Sequence, residues 1–238
     1  MNIAIIFAGG TGSRMHSASV PKQFLEYQDK PIIIYTLELF DKHPEIDSIV
    51  IACLESWIPH LQQLLVKFGI RKVAQIVPGG ITGQESIYNA LIAAQKLYGE
   101  TNNIALIHDG VRPLITARTI TDNIRVVKEK RGCITTAPTT ETFVIRQSDN
   151  SLFVANRSQS FIARAPQSFY LQDILSAHKQ AIKESLAPFI DSCTLMNHFG
   201  YKFGLVDGPI ENIKITTDID LCTFKSIIEA QRRQQDRQ

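Results

Sequence analysis

The sequence predicts an α/β protein, a doubly wound and mostly parallel sheet with helices on both faces. Short β-branched runs alternate with amphipathic stretches through the first half, the pattern of parallel strands joined by crossover helices. Between two such runs, Ile34, Leu37 and Phe40 recur at helical spacing behind Pro31, a residue suited to a first helical turn. The length and composition agree. At 238 residues, with 44% hydrophobic and 20% charged residues, the chain can bury a substantial core without disulfides or a structural metal.

In chain order the expected strands are Ile3–Phe7, Ser48–Ala52, Val73–Val77, Ile104–Ile107 and Cys133–Ala137, with a helix over Pro31–Phe40. From Thr139 to Ser160 the pattern changes to a polar, β-rich excursion: Thr142–Ile145, a turn at Ser148 to Ser151, then Leu152–Ala155. A lone hairpin is marginal in water, so this arm is expected to pack on something, a second subunit among the candidates. Helical periodicity returns over Tyr170–Glu184 and Asp218–Ala230, and Gln231–Gln238 is expected to be a frayed tail. With no internal repeat or linker, residues 1–238 are expected to form one domain, the arm being its 139–160 subregion.

Composition excludes several classes. No apolar run reaches the ~18 residues of a membrane span, and no basic stretch precedes Ile3–Phe7 as in a signal peptide. The expected location is the cytoplasm. Cys53, Cys133, Cys193 and Cys222 have no paired spacing for zinc or redox chemistry and are expected to be buried free thiols. A net charge of +2 is too small for a nucleic-acid groove, so any phosphate binding is local.

In a doubly wound sheet, ligands sit beyond the carboxyl ends of the strands, which directs attention to the loops there. The first strand runs into Ala8-Gly9-Gly10-Thr11-Gly12-Ser13-Arg14-Met15, a turn whose backbone amides can approach an anion closely. It is neither a P-loop, since no lysine follows Gly12, nor a dinucleotide fingerprint, since Met15 stands where a small residue is needed. Val20-Pro21-Lys22-Gln23-Phe24 follows, so Arg14 and Lys22 could flank one polyphosphate, the arginine as a two-pronged fork and the lysine as a point charge. The fourth strand ends in His108-Asp109-Gly110-Val111-Arg112-Pro113. Asp109 is well placed to hold Mg²⁺, which prefers one or two carboxylates plus substrate phosphates. His108 is read as structural, because Mg²⁺ disfavours imidazole. Glu211-Asn212-Ile213-Lys214 offers a further acid and lysine before the last helix.

Together with Gly79-Gly80, Ser86 and Ala165-Pro166-Gln167, these segments resemble the cytidylyltransferase family that acts on methylerythritol phosphate and ribitol phosphate, from Ile3 to about Leu221. The resemblance implies a Rossmann-like nucleotidyltransferase fold whose hairpin arm makes a homodimer. It further implies CTP and a small polyol phosphate as substrates, Mg²⁺ as cofactor, and neither nucleic acid nor membrane as partner. Arg14, Lys22 and Lys214 would be catalytic; Ala8, Gly9, Gly10, Gly12, Gly79, Gly80 and Ser86 would bind CTP. Arg112, Thr142 and Arg157 would grip the acceptor phosphate, and Asp109 with Glu211 would hold the metal.

Three positions depart from the family pattern: Gly83 where an arginine is usual, Ala165 for threonine, and Glu211 for aspartate. Trp57 and Pro166-Gln167-Ser168-Phe169 look closer to the ribitol-phosphate type than to the methylerythritol enzyme of isoprenoid synthesis. A catalytically silent nucleotide-binding relative is the rival of another class. A scaffold has no need of Arg14, Lys22, Asp109, Arg157 and Lys214 together, which argues against it.

Overall fold

The computed structural model describes residues 1–10, 20–99 and 101–235. Its strands are β1 (Asn2–Ala8), β2 (Glu26–Tyr27), β3 (Lys30–Pro31), β4 (Ser48–Cys53), β5 (Val73–Pro78), β6 (Ile104–Asp109), β7 (Gly132–Pro138), β8 (Val144–Arg146), β9 (Leu152–Val154), β10 (Phe161–Tyr170) and β11 (Gly204–Asp207). Its helices are α1 (Ile32–Asp41), α2 (Ile58–Lys67), α3 (Gly83–Tyr98), α4 (Ala117–Lys130), α5 (Leu171–Lys183), α6 (Ser192–His198) and α7 (Asp218–Gln235). Seven strands form the central sheet in the order β11-β7-β10-β6-β1-β4-β5. Neighbours run parallel except at β10, which lies antiparallel between β6 and β7. The five strands expected from sequence are β1, β4, β5, β6 and β7.

Both faces of the sheet are covered, which is why these strands read as nearly continuous apolar runs rather than alternating ones. From β1, Ala4, Ile6 and Ala8 face one way and join Ile33, Leu37 and Phe40 of α1 and Ile120 and Ile124 of α4. Ile3 and Ile5 face the other way, into Ile87, Ala90 and Leu91 of α3 and Ile174 and Leu175 of α5. Each fully buried isoleucine, leucine or phenylalanine among these stabilises the fold by about 1.5–3 kcal/mol relative to exposure. A third cluster, Ile32, Val111, Leu114, Ile215 and Phe224, fastens α7 beside the loop after β6.

Two expectations need correction. The segment Gln231–Gln235 is not frayed but continues α7, leaving 236–238 outside the described residues. Cys53 and Cys133 are buried free thiols, with burial pushing each thiol up to about 12, but Cys193 is only partly buried and Cys222 is exposed. The excursion after β7 exposes apolar side chains among its polar ones. In it β8 and β9 pair only with each other, and Phe143, Val144, Ile145, Leu152, Phe153 and Val154 are each 40% to 65% exposed. Its turn is held by Asp149, which accepts a hydrogen bond from the Ser151 amide at 2.9 Å, and Asn150 takes the positive φ of 66° that asparagine tolerates. The arm leaves and rejoins the sheet at one place, since Pro138 of β7 stands opposite Phe161 of β10.

Candidate active site

Two cavities open beyond the carboxyl ends of β1 and β6 and share Phe7, Gly83, Asp109 and Lys214. The first, about 290 Å³, is lined by Ala8, Gly9 and Gly10 at the end of β1, by Lys22, and by Gly80, Thr82 and Ser86 at the start of α3. The second, about 240 Å³, is lined by Arg112, by Ala163 to Ala165 and Gln167 of β10, and by Phe189 to Ser192.

Close backbone packing builds the first cavity. A Cβ on Gly9 would stand 2.7 Å from Ser86 Oγ, and one on Gly79 would stand 3.1 Å from Gly9 Cα. A methyl at Gly9 would have to displace the Ser86 hydroxyl, and one at Gly79 would press on the backbone of Gly9. Ser86 Oγ accepts from the Gly80 amide and donates to the Thr82 carbonyl, each at 3.0 Å, so it ties the Gly79-Gly80 loop to the first turn of α3. That turn is closed by a capping box: Thr82 Oγ1 accepts from the Glu85 amide at 3.1 Å, while Glu85 Oε2 accepts from the Ile81 and Thr82 amides. The positive end of α3 therefore faces the cavity, where the helix dipole favours an anion.

Lys22 is brought to the same cavity by its neighbours. Gln23 is buried and donates to the Ala8 carbonyl at 2.7 Å, while Phe24 stacks on Trp57 with ring centroids 4.7 Å apart. The 3₁₀ turn Lys22–Phe24 is thus pinned to the end of β1 on one side and to the chain after β4 on the other. Arg14 and Gly12 lie outside the described residues.

Asp109 stands where the cavities meet. Its Oδ2 is 2.7 Å from Arg112 Nε and its Oδ1 is 2.6 Å from Lys214 Nζ. Burial works to raise its pKa, but the combined charges and hydrogen bonds of Arg112 and Lys214 prevail and hold the carboxyl well below the usual carboxylate range. Asp109 is therefore ionised at any physiological pH. His108, wholly buried and lining neither cavity, makes contact through Nε2 with the Arg112 carbonyl at 3.1 Å. Its burial pushes the ring down to about 4, so it is neutral at pH 7.

The segment carrying Lys214 is stitched in place. Arg112 Nη1 donates to the Asn212 carbonyl at 3.0 Å, Asn212 Nδ2 to the Ala165 carbonyl at 2.8 Å, and the Ile215 amide to the Val111 carbonyl at 3.0 Å. Asn212 faces inward, while Glu211 next to it is exposed and lines neither cavity. Among the described residues, no group of three or more His, Cys, Asp or Glu side chains comes together. Thr142 and Arg157, both exposed on the arm, also line neither cavity.

Sequence reasoning missed part of the second cavity. Gln167 donates to Asp191 Oδ2 at 3.1 Å and accepts from the Cys193 amide at 2.7 Å, fixing the start of α6 as one wall; Gln84 hydrogen-bonds the Phe189 amide across the entrance. Arg164 points at the cavity from β10. The departures are also explained. Gly83 lines both cavities, and a Cβ there would meet nothing within 4 Å, so the missing arginine leaves open space rather than a collapsed wall. Ala165 lines the second cavity without a hydroxyl.

An anion-ready glycine turn with a lysine over it, joined through Asp109 and Lys214 to a second cationic cavity on a Rossmann-like sheet, defines a nucleotidyltransferase. The chain belongs to the IspD family, 2-C-methyl-D-erythritol 4-phosphate cytidylyltransferase, whose profile matches residues 2–230. A ribitol-5-phosphate cytidylyltransferase from Vibrio parahaemolyticus serotype O3:K6 is 51% identical over 99% of each chain. A 2-C-methyl-D-erythritol 4-phosphate cytidylyltransferase from Clostridium botulinum (strain 657 / Type Ba4) is 36% identical over 96% of this chain and 97% of that one. The crystal structure of a 4-diphosphocytidyl-2C-methyl-D-erythritol synthase from Anaerococcus prevotii superposes with a TM-score of 0.82 over 96% of each chain, at 24% identity, and supports the fold.

Proposed function

We propose that this chain transfers CMP from CTP to D-ribitol 5-phosphate, giving CDP-ribitol and pyrophosphate. The carrying observation is the junction of the two cavities at Asp109 and Lys214: a nucleotide triphosphate in the first would present its α-phosphorus to an acceptor phosphate in the second. The choice of ribitol rests on the 51% relative. Methylerythritol phosphate is the second reading, favoured by the family profile and the 36% relative. Pyrophosphate release from CTP with each acceptor tests both, and release with neither would leave the silent-relative reading standing.

In this mechanism an oxygen of the acceptor phosphate attacks the α-phosphorus in line as pyrophosphate leaves. The attacking group is already an anion, so positioning and fixed cations supply most of the rate. Lys22 and Arg14 steady the triphosphate, while Lys214, held by Asp109 at the junction, meets the charge that grows there. Asp109 fits Mg²⁺ as an ionised hard oxygen donor facing the triphosphate cavity; the ion's other ligands would be phosphate and water, since Glu211 stands apart. Mg²⁺ bound there would neutralise phosphate charge. Arg112 and Lys214 would grip the acceptor from the same chain, and Thr142 and Arg157 would do so from the partner's arm in a homodimer. The exposed apolar side chains of that arm support such a partner. Among the described residues no helix is long and apolar enough to cross a membrane, in keeping with the cytoplasmic placement we propose.

Two tests arise directly. CTP should be turned over in strong preference to ATP or GTP, because Gly79-Gly80 is clamped by Ser86 and leaves a fixed rim for the smaller base. Comparable kcat/KM with a purine nucleotide would refute the cytidine assignment. Gly9→Ala should raise the KM for CTP about tenfold, roughly 1.4 kcal/mol, since the new methyl must displace Ser86. Wild-type KM in that variant would show that the close approach has no part in binding CTP.

A further inference from the structure

Arg164 is half-buried at the mouth of β10 and lines the second cavity. A regular strand sends successive side chains to opposite faces, yet Ala163, Arg164 and Ala165 all line this cavity. The ladder between β7 and β10 breaks between Ala163 and Gln167, and such an irregularity re-aims a side chain. The guanidinium so delivered is unmatched. Its Nε is sealed from solvent without a hydrogen-bond partner, and no carboxylate among the described residues forms an ion pair with it. Burial first, and then the charge of Arg112, lower its pKa, so its charged neighbour is another cation.

The carboxylates that share the cavity are committed elsewhere. Asp109 is held by Arg112 and Lys214. Asp191 accepts from the Thr194 amide and hydroxyl through Oδ1, both at 2.8 Å, and from Gln167 through Oδ2. Holding a second arginine half out of water beside the first is unfavourable unless an anion joins them, and a guanidinium suits the fork of two phosphate oxygens. We propose that Arg164 is a further binding residue for the acceptor: it grips the phosphomonoester of the polyol phosphate from within the chain, beside the position where Ala165 offers no hydroxyl. This rests on the two-cavity reading of the reaction, and assigns one of the acceptor's phosphate contacts to the chain that also binds CTP.

Isothermal titration of wild type, Arg164→Gln, Arg164→Met and Arg164→Lys with D-ribitol 5-phosphate, inorganic phosphate and CTP tests it. The Gln and Met variants should bind both phosphate probes about tenfold or more weakly, as loss of a charge-assisted hydrogen bond predicts. Lysine should recover part of that loss, and CTP affinity should be unchanged in all three, which also reports that they fold. Unchanged affinity for D-ribitol 5-phosphate in Arg164→Met would overturn the proposal, as would failure of the wild type to bind either phosphate probe. Turnover of CTP with D-ribitol 5-phosphate by the wild type is scored separately. Its absence would count against the proposed reaction alone.

Discussion

Lys22→Ala is expected to lower kcat by about 10²-fold or more while the KM for CTP moves by only a few-fold. Lys22 lines the triphosphate cavity on a short turn braced by the hydrogen bond from Gln23 to Ala8 and the stacking of Phe24 on Trp57. So positioned, its charge matters most when negative charge moves toward the departing pyrophosphate, and little in the ground state. An unchanged melting temperature should accompany the loss, because the bracing side chains remain. A variant with intact kcat and a raised KM would make Lys22 a uniform binder of CTP and remove it from the transition state. Asp109→Asn is a harsher change: it leaves Arg112 and Lys214 facing an uncharged amide in a buried site, so its stability should fall, and with it the proposed dependence on Mg²⁺.

A mixture of Lys22→Ala and Arg157→Ala chains, each inactive alone, should recover about a quarter of wild-type activity after refolding together. Arg157 sits on the arm and reaches neither cavity of its own chain, whereas Lys22 lines the first. If each arm serves the neighbouring chain, a mixed dimer concentrates both lesions in one site and leaves the other whole. Random pairing makes about half the dimers mixed, with one working site in two, hence the quarter for a two-fold dimer with independent sites. No recovery, with mixed dimers verified by mass spectrometry, would mean that Arg157 acts within its own chain.

What the sequence disclosed follows from how each element is buried. β1, β4 and β6 carry nearly continuous apolar runs because helices cover both sheet faces, and the glycine turn after β1 announces itself by composition. β10 stayed hidden because Pro166 and the polar Arg164 and Gln167 interrupt any strand pattern, although the strand fills the gap between β6 and β7. The first cavity draws on short local motifs, so its lining was legible. The second is assembled from Gln84, Arg164, Gln167 and Asp191, residues joined only by the fold. A cation set between Ala163 and Ala165 just before Pro166 was the one local hint, and it has no periodicity to mark it. The placement of Glu211 was not legible for the opposite reason: the motif marks the segment, but only the fold shows that Asn212 turns inward and Glu211 outward.

The pairing of Pro138 with Phe161 makes the 139–160 arm an insertion at the tip of a long hairpin whose stem, β7 and β10, belongs to the sheet. Its two ends are already side by side, so its length is a nearly free variable; doubling such a loop costs only about 0.6 kcal/mol of closure entropy. The arm can therefore lengthen or shorten without disturbing the strands of the sheet. The same geometry offers an engineering route: a short turn grafted across 138 and 161 would yield a sheet-intact, arm-free protein in which the proposed parts of the arm in assembly and in acceptor binding can both be measured.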